Sequence, residues 1–179
     1  MIPARSSHES NPASPFKSSR PGYGAVIGHA QATQLDLPLR IHPLLNSQSR
    51  GESSSSGAYL SWNVIEHPTF ASLWRDKDTE LDWSKERHQP ATTPIVEELQ
   101  LGHVESGWSI RVRNRKGVTC EDVLYAIYDF FASPLYVDEM AEMYPRAVRI
   151  FEKRRMGFFD LEEGYRKSDA LLGATYFDG

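Results

Sequence analysis

The sequence predicts an α+β fold, an antiparallel sheet of about five strands with two or three helices packed on one face. Three observations carry this. Residues 98–113, "ELQLGHVESGWSIRVR", alternate apolar and polar side chains, which is the period of a half-buried antiparallel pair. Residues 119–132 repeat apolar side chains at helical spacing behind a threonine, the residue type that caps helix starts. Two short apolar segments, "LRIHPLL" and "AYLSWNVI", are bounded by Ser, Pro and Gly, as strands joined by loops are.

The bulk properties suit one domain with a real core. The chain has 179 residues, 40% of them apolar and 25% charged, an ordinary balance for a globular protein. The formal charge is -4, from 24 acidic and 20 basic residues. That excludes a global basic field of the kind that drives nonspecific nucleic-acid binding, while leaving room for a local patch. One cysteine cannot close an intramolecular disulfide, so the fold needs no oxidising compartment. No apolar run reaches the ~18 residues of a membrane span. The N-terminal stretch lacks the apolar region of a secretory signal. A cytoplasmic or nuclear protein is expected.

Residues 1–34 combine Ser, Pro and Gly with few large apolar side chains. They are expected to form a disordered tail, because they cannot bury enough surface to offset the entropy of ordering. The single domain then spans 35–179. Within it "NSQSRGESSSSG", residues 46–57, reads as a flexible loop between two strands. Residues 66–95 are polar, carry Pro68, Pro90 and Pro94, and read as an irregular insertion. Trp74 and Trp83 imply that part of it packs on the domain, with a short helix near Phe70–Trp74.

The hairpin register follows from parity. Strand side chains alternate faces, so Leu99, Leu101 and His103 share one face, as do Trp108, Ile110 and Val112. The two sets meet only if the loop holds an even number of residues, either Glu105-Ser106 or Val104 to Gly107. Leu101 then opposes Ile110, Leu99 opposes Val112 and His103 opposes Trp108. On the other face Glu98 meets Arg113 and Gln100 meets Arg111, so the arginines form the wet side of an amphipathic hairpin.

After the turn "NRKG", Thr119 is the expected N-cap, with Asp122 as its capping-box partner and Val118 and Val123 at the staple positions. Pro134 ends the helix. At about 100° per residue, Val123, Leu124, Ile127, Phe130 and Phe131 fall within an arc of about 120°. Cys120 falls near the middle of that arc. One reading makes Cys120 a nucleophile favoured by the helix N-terminus, with His103 as its base. The other makes it a small buried hydrophobe, and its place in the apolar stripe favours that one.

No other constellation has the spacing its chemistry needs. "DKDTELDWSKER" opens like a calcium loop with Asp76, Asp78 and Glu80. Leu81, however, stands where the turn needs Gly, and Arg87 where the bidentate Glu belongs. The histidines at 8, 29, 42, 67, 88 and 103 form no i, i+4 pair, so no metal site is expected. Glu97-Glu98 and Glu162-Glu163 are adjacent, which on a strand turns the two carboxylates to opposite faces. There is no Gly-rich phosphate loop and no nucleophile-elbow serine. No cofactor is expected.

The C-terminal third reads as two short helices, "YVDEMAEMY" and "PRAVRIFEKRRM", with Pro145 at the first position of the second. Arg146, Arg149, Lys153, Arg154 and Arg155 line one side of it. The ending "GYRKSDALLGATYFDG" reads as a hairpin turning near Gly173.

"IHPLL", "LSWNV", "PATTP", "WSIRVRNRKGVTCEDVLYAIYDFFASPL" and "LLGATYF" together resemble, in order, an uncharacterised family found mainly in mushroom-forming fungi, domain of unknown function 6699. The resemblance covers about residues 39–179, with the acidic insertion near 71–88 as a departure. It implies fungal origin and a shared fold, and it carries over no catalytic residue.

Three functions follow as expectations. The leading one is a noncatalytic binding or protein-interaction domain, with an unknown protein partner and no membrane. The second is an anion or nucleic-acid binder using Arg111, Arg113, Arg115 and Lys116, joined by the 149–155 cluster if the two lie close together. The third is a cysteine-dependent enzyme with Cys120 and His103.

Overall fold

The computed structural model describes residues 26–28, 38–46, 58–75, 77–103, 106–136, 165–171 and 174–177, together with Glu139 and Glu152. The fold is α+β. Among these residues the strands are β1 (Arg40–Ile41), β2 (Tyr59–Ser61), β3 (Ser72–Trp74), β4 (Glu80–Leu81), β5 (Thr92–Thr93), β6 (Glu98–His103) and β7 (Trp108–Arg113). The α-helices are α1 (Trp83–Glu86) and α2 (Cys120–Ala132). The strands do not form the single sheet of about five that the alternation suggests. They make three small antiparallel sheets: β1 with β5, β2-β3-β4, and β6 with β7.

The β6–β7 hairpin has the register that parity requires. Leu99 pairs with Val112, Leu101 with Ile110 and His103 with Trp108, while Glu98 meets Arg113 and Gln100 meets Arg111. Gly107 adopts φ 70°, a left-handed conformation that suits glycine, and its N–H donates to His103 O at 2.9 Å. The inner face of the hairpin packs on α2. Val112, Val118, Cys120, Val123 and Leu124 are each at most 3% exposed, in one cluster with Ile110, Ile127 and Phe131.

The capping box at the start of α2 is complete. Thr119 Oγ1 accepts from Asp122 N–H at 3.2 Å, and Asp122 Oδ2 accepts from Thr119 N–H at 2.9 Å. Asp122 Oδ2 also accepts from Asn114 Nδ2 at 2.8 Å, which ties the turn after β7 to the helix. Gly117, at φ 103°, closes that turn by donating to Asn114 O.

Two His-Pro pairs start 3-10 turns. In each, the histidine Nδ1 accepts from the N–H two residues on: His42 from Leu44 and His67 from Thr69. Proline at the next position needs no N–H partner and is preset in φ. The second turn, Pro68–Phe70, leads into β3, so the helix expected near Phe70–Trp74 is one 3-10 turn and a strand. Ser72–Trp74 pairs with Tyr59–Ser61, and that ladder outweighs local helical preference. Part of the acidic stretch is regular structure too. Leu81 pairs with Leu73, and Asp82 caps α1 through Ser84 N–H at 2.9 Å.

At the C-terminal end the expected hairpin is replaced by a 3-10 helix, Lys167–Leu171. Asp169 Oδ2 accepts from Arg166 N–H at 2.9 Å, closing the local turn that begins it. Isolated bridges of Arg166 to Pro134 and of Tyr176 to Asn63 tie this segment to the rest. Gly173, the two helices expected over 136–156 apart from their residues Tyr136, Glu139 and Glu152, and the loop 47–57 lie outside the described residues. So does the stretch 1–34 apart from 26–28. Within it Ile27 forms a parallel bridge with Val96, its N–H donating to Ile95 O and its carbonyl accepting from Glu97 N–H.

Candidate functional site

The hairpin sends Leu99, Leu101 and His103 from β6, and Ile110 from β7, toward α2, whose Val123, Ile127 and Phe131 answer them. The helix does not fill the space beside β6. A cavity of about 620 Å³ lies there, within the size range of small-ligand sites. Its opposite wall has two parts. Leu39, Ile41 and Leu45 come from the residue before β1, from β1 and from the 3-10 turn after it. Leu171, Ala174, Tyr176 and Phe177 come from the C-terminal segment.

That second wall is held by backbone bonds. Val64 N–H donates to Thr175 O and Phe177 N–H to Trp62 O, both at 2.8 Å, while Lys167 N–H donates to Ser133 O at 3.0 Å. Among the described residues that line it, none is Asp, Glu, Lys or Arg. The rim is apolar and open to solvent: Leu39 is 41% exposed, Ile41 53% and Tyr176 72%. Half of the exposed large hydrophobic residues on the described surface therefore gather at one opening, the kind of patch that marks a contact site.

The floor beside β6 is backbone as well as side chain. Glu97 O accepts from Asn114 N–H and His103 O from Gly107 N–H, so the odd-numbered carbonyls turn toward β7. In an antiparallel ladder the alternate residues then turn the other way, directing the N–H and C=O of Glu98, Gln100 and Gly102 to the far edge. Among the described residues no strand pairs with that edge, and Ile27 bonds Ile95 O and Glu97 N–H just before β6 begins. Gln100 Nε2 is engaged on the outer face with Ser109 Oγ at 2.7 Å, and Gly102 has no side chain. Both residues line the cavity.

The four basic residues singled out in the sequence lie elsewhere, on the outer face of the hairpin and the turn after it. Arg111 Nε sits 3.0 Å from Glu98 Oε1 and Arg113 Nε 3.9 Å from Glu98 Oε2. The two arginines thus share one carboxylate. Arg115 and Lys116 are exposed in the turn, where Lys116 N–H donates to Asn114 Oδ1 at 2.9 Å. The second basic cluster, 149–155, lies outside the described residues except for Glu152.

Cys120 and His103 are not brought together. Cys120 opens α2 and is fully buried, whereas His103 stacks edge-on against Phe131 in its last turn at 5.9 Å. Those two ends lie eleven helical positions apart, about 16 Å at 1.5 Å per residue. The donors of the helix N-terminus are also taken. Cys120 N–H bonds Gln89 O and Glu121 N–H bonds Arg87 O, at 2.9 and 2.8 Å, so these two N–H groups are already engaged and do not serve a thiolate. Burial pushes the Cys120 thiol well above its ordinary range, with the Glu86 carboxylate adding to the shift.

Sequence reasoning placed the hairpin and helix faces and missed the cavity. Its signals were the alternation of Leu39 and Ile41, read only as a strand, and Tyr176, read as part of a hairpin. Among the described residues no cluster of His, Cys, Asp and Glu could hold a metal ion, and no helix is long and apolar enough to cross a membrane.

The fold and the cavity define an α+β domain with an open apolar groove beside a strand edge. The chain belongs to the family of unknown function DUF6699, whose model matches residues 60–179. No curated protein and no solved structure matches it.

Proposed function

We propose that this chain is a noncatalytic binding domain whose ligand occupies the groove between β6 and the wall formed by Leu39, Ile41 and Tyr176. The observation that carries the reading is a cavity of about 620 Å³, without Asp, Glu, Lys or Arg among its described lining residues, whose opening collects exposed apolar side chains. Burying such a rim is favourable at roughly 25 cal/mol per Å² of apolar surface, and its described lining favours an uncharged, apolar contact. The separation of Cys120 from His103 supports a noncatalytic role.

The uncharged dye Nile red tests the reading. It should bind the full chain saturably with a rise in fluorescence, and Ile41→Arg or Tyr176→Arg, both at exposed positions, should weaken binding roughly tenfold, about 1.4 kcal/mol. Nonsaturable binding, or binding indifferent to both substitutions, would overturn it.

A further inference from the structure

We infer that the groove ligand is an uncharged, largely apolar small molecule with a hydrogen-bond donor and acceptor side by side on one planar edge, as in a lactam, which pairs with the carbonyl of Gln100 and the N–H of Gly102. This rests on the groove being the binding site and goes further by naming the ligand's chemistry. The lining residues of the hairpin show how the cavity meets the strand. Leu99, Leu101, His103 and Ile110 line it from the inner face. Gln100 and Gly102 belong to the outer face by parity and line it too, whereas their cross-strand partners Arg111 and Ser109 do not. A cavity on the inner face reaches those two residues only around the edge of β6. Gln100 sends its amide to Ser109 on the outer face and Gly102 has no side chain, so what the strand offers there is backbone.

Gln100 and Gly102 hold successive outward positions, so the Gln100 carbonyl and the Gly102 N–H are neighbours on either side of Leu101. A wholly apolar ligand seated against them strips water from one acceptor and one donor and returns nothing, which weakens binding. A single trans amide points its N–H and C=O in opposite directions and serves one of the two groups. A cis amide held in a ring points both the same way and serves both. Glu98, the next outward position, does not line the cavity. The edge inside it is therefore one repeat long, enough for one such group and short for an added strand. The bonds of Ile27 fall before β6 begins, at Ile95 and Glu97, and leave this pair untouched. The volume of about 620 Å³ is that of a small-ligand site, and the described lining, without Asp, Glu, Lys or Arg, disfavours a charged ligand.

The test uses the full chain with three probes of one shape: the planar lactam phenanthridinone, its N-methyl derivative, which lacks the donor, and the hydrocarbon phenanthrene, which lacks both groups. Each is titrated against bound Nile red, and residue-resolved NMR follows backbone amide exchange. Phenanthridinone should displace the dye saturably, and the N-methyl derivative should bind roughly tenfold more weakly. Phenanthridinone should slow exchange at Gly102 and leave Leu101, whose N–H faces β7, unchanged. Gly102→Pro removes the outward N–H at an edge position, where proline is tolerated. It should weaken phenanthridinone roughly tenfold and leave phenanthrene unchanged, the second result showing that the variant keeps its groove.

Two results would overturn the proposal. One is exchange at Gly102 as slow in the free chain as at Leu101, meaning that the chain already covers its own edge. The other is failure of phenanthridinone to bind, or equal binding of phenanthridinone and its N-methyl derivative. If Nile red still binds saturably in either case, the groove remains a binding site and the donor–acceptor pairing alone is lost. If neither Nile red nor phenanthridinone binds, both readings fall.

Discussion

Asn114 Nδ2 donates to Asp122 Oδ2 at 2.8 Å, joining the turn that leaves β7 to the cap that starts α2. One carboxylate thereby serves the Thr119 backbone N–H, the Thr119 hydroxyl and the Asn114 amide.

Asp122→Ala should therefore cost about 1–3 kcal/mol, more than a simple cap, since it releases the turn together with the helix start. Asn114→Ala should cost less. A double-mutant cycle by urea denaturation should give a coupling of at least about 0.5 kcal/mol. Additive losses would mean that the turn and cap fold independently.

Cys120 should resist alkylation until the chain unfolds, because it is fully buried. Cys120→Ser should destabilise by roughly 1–3 kcal/mol, since it places a stronger polar group among apolar neighbours, and Cys120→Ala should cost less. Labelling with iodoacetamide in native buffer and in urea checks the first expectation, and denaturation of the two variants checks the second. Fast native labelling with unchanged stability would reopen a reactive role.

His42 gives the stability a pH dependence with a definite sign. Burial lowers its pKa from 6.5 to about 4, so between those values the unfolded chain takes up the proton and the folded chain does not. The contribution is intact above pH 6.5, is lost progressively as pH falls toward 4, and is constant below that. It amounts to about 3 kcal/mol. Protonation would also compete for the Nδ1 lone pair that caps Leu44 N–H at 3.3 Å. His42→Asn, which keeps an acceptor near that position, should show a flatter stability profile than the unaltered chain over this range. Parallel profiles would sink the assignment.

Arg111 and Arg113 have side chains 73% and 59% exposed, so replacing either with Ala should change stability by less than about 1 kcal/mol. Glu98→Gln leaves both guanidinium groups without their shared carboxylate. If the outer face is only a solvated surface, this variant should still show no retention on a short single-stranded oligonucleotide at physiological salt. Retention that falls steeply with added salt would favour anion binding instead.

The sequence by itself determined the β6–β7 register, the face α2 presents, and the burial of Cys120. Each follows from a local period, two for strands and about 3.6 for helices, over contiguous residues. It also carried the outward direction of Arg111 and Arg113, since one parity argument decides both faces. What only the tertiary structure decided are the relations that no short window contains. Thr92 lies against Ile41 rather than in a common sheet with β6, and Ser72–Trp74 is a strand because Tyr59–Ser61 pairs with it. Leu39, Ile41 and Tyr176 reach one opening from opposite ends of the domain. A groove is formed where packed elements fail to meet, and the periodicity of any one element says which face is apolar without saying how much of that face its partners will cover.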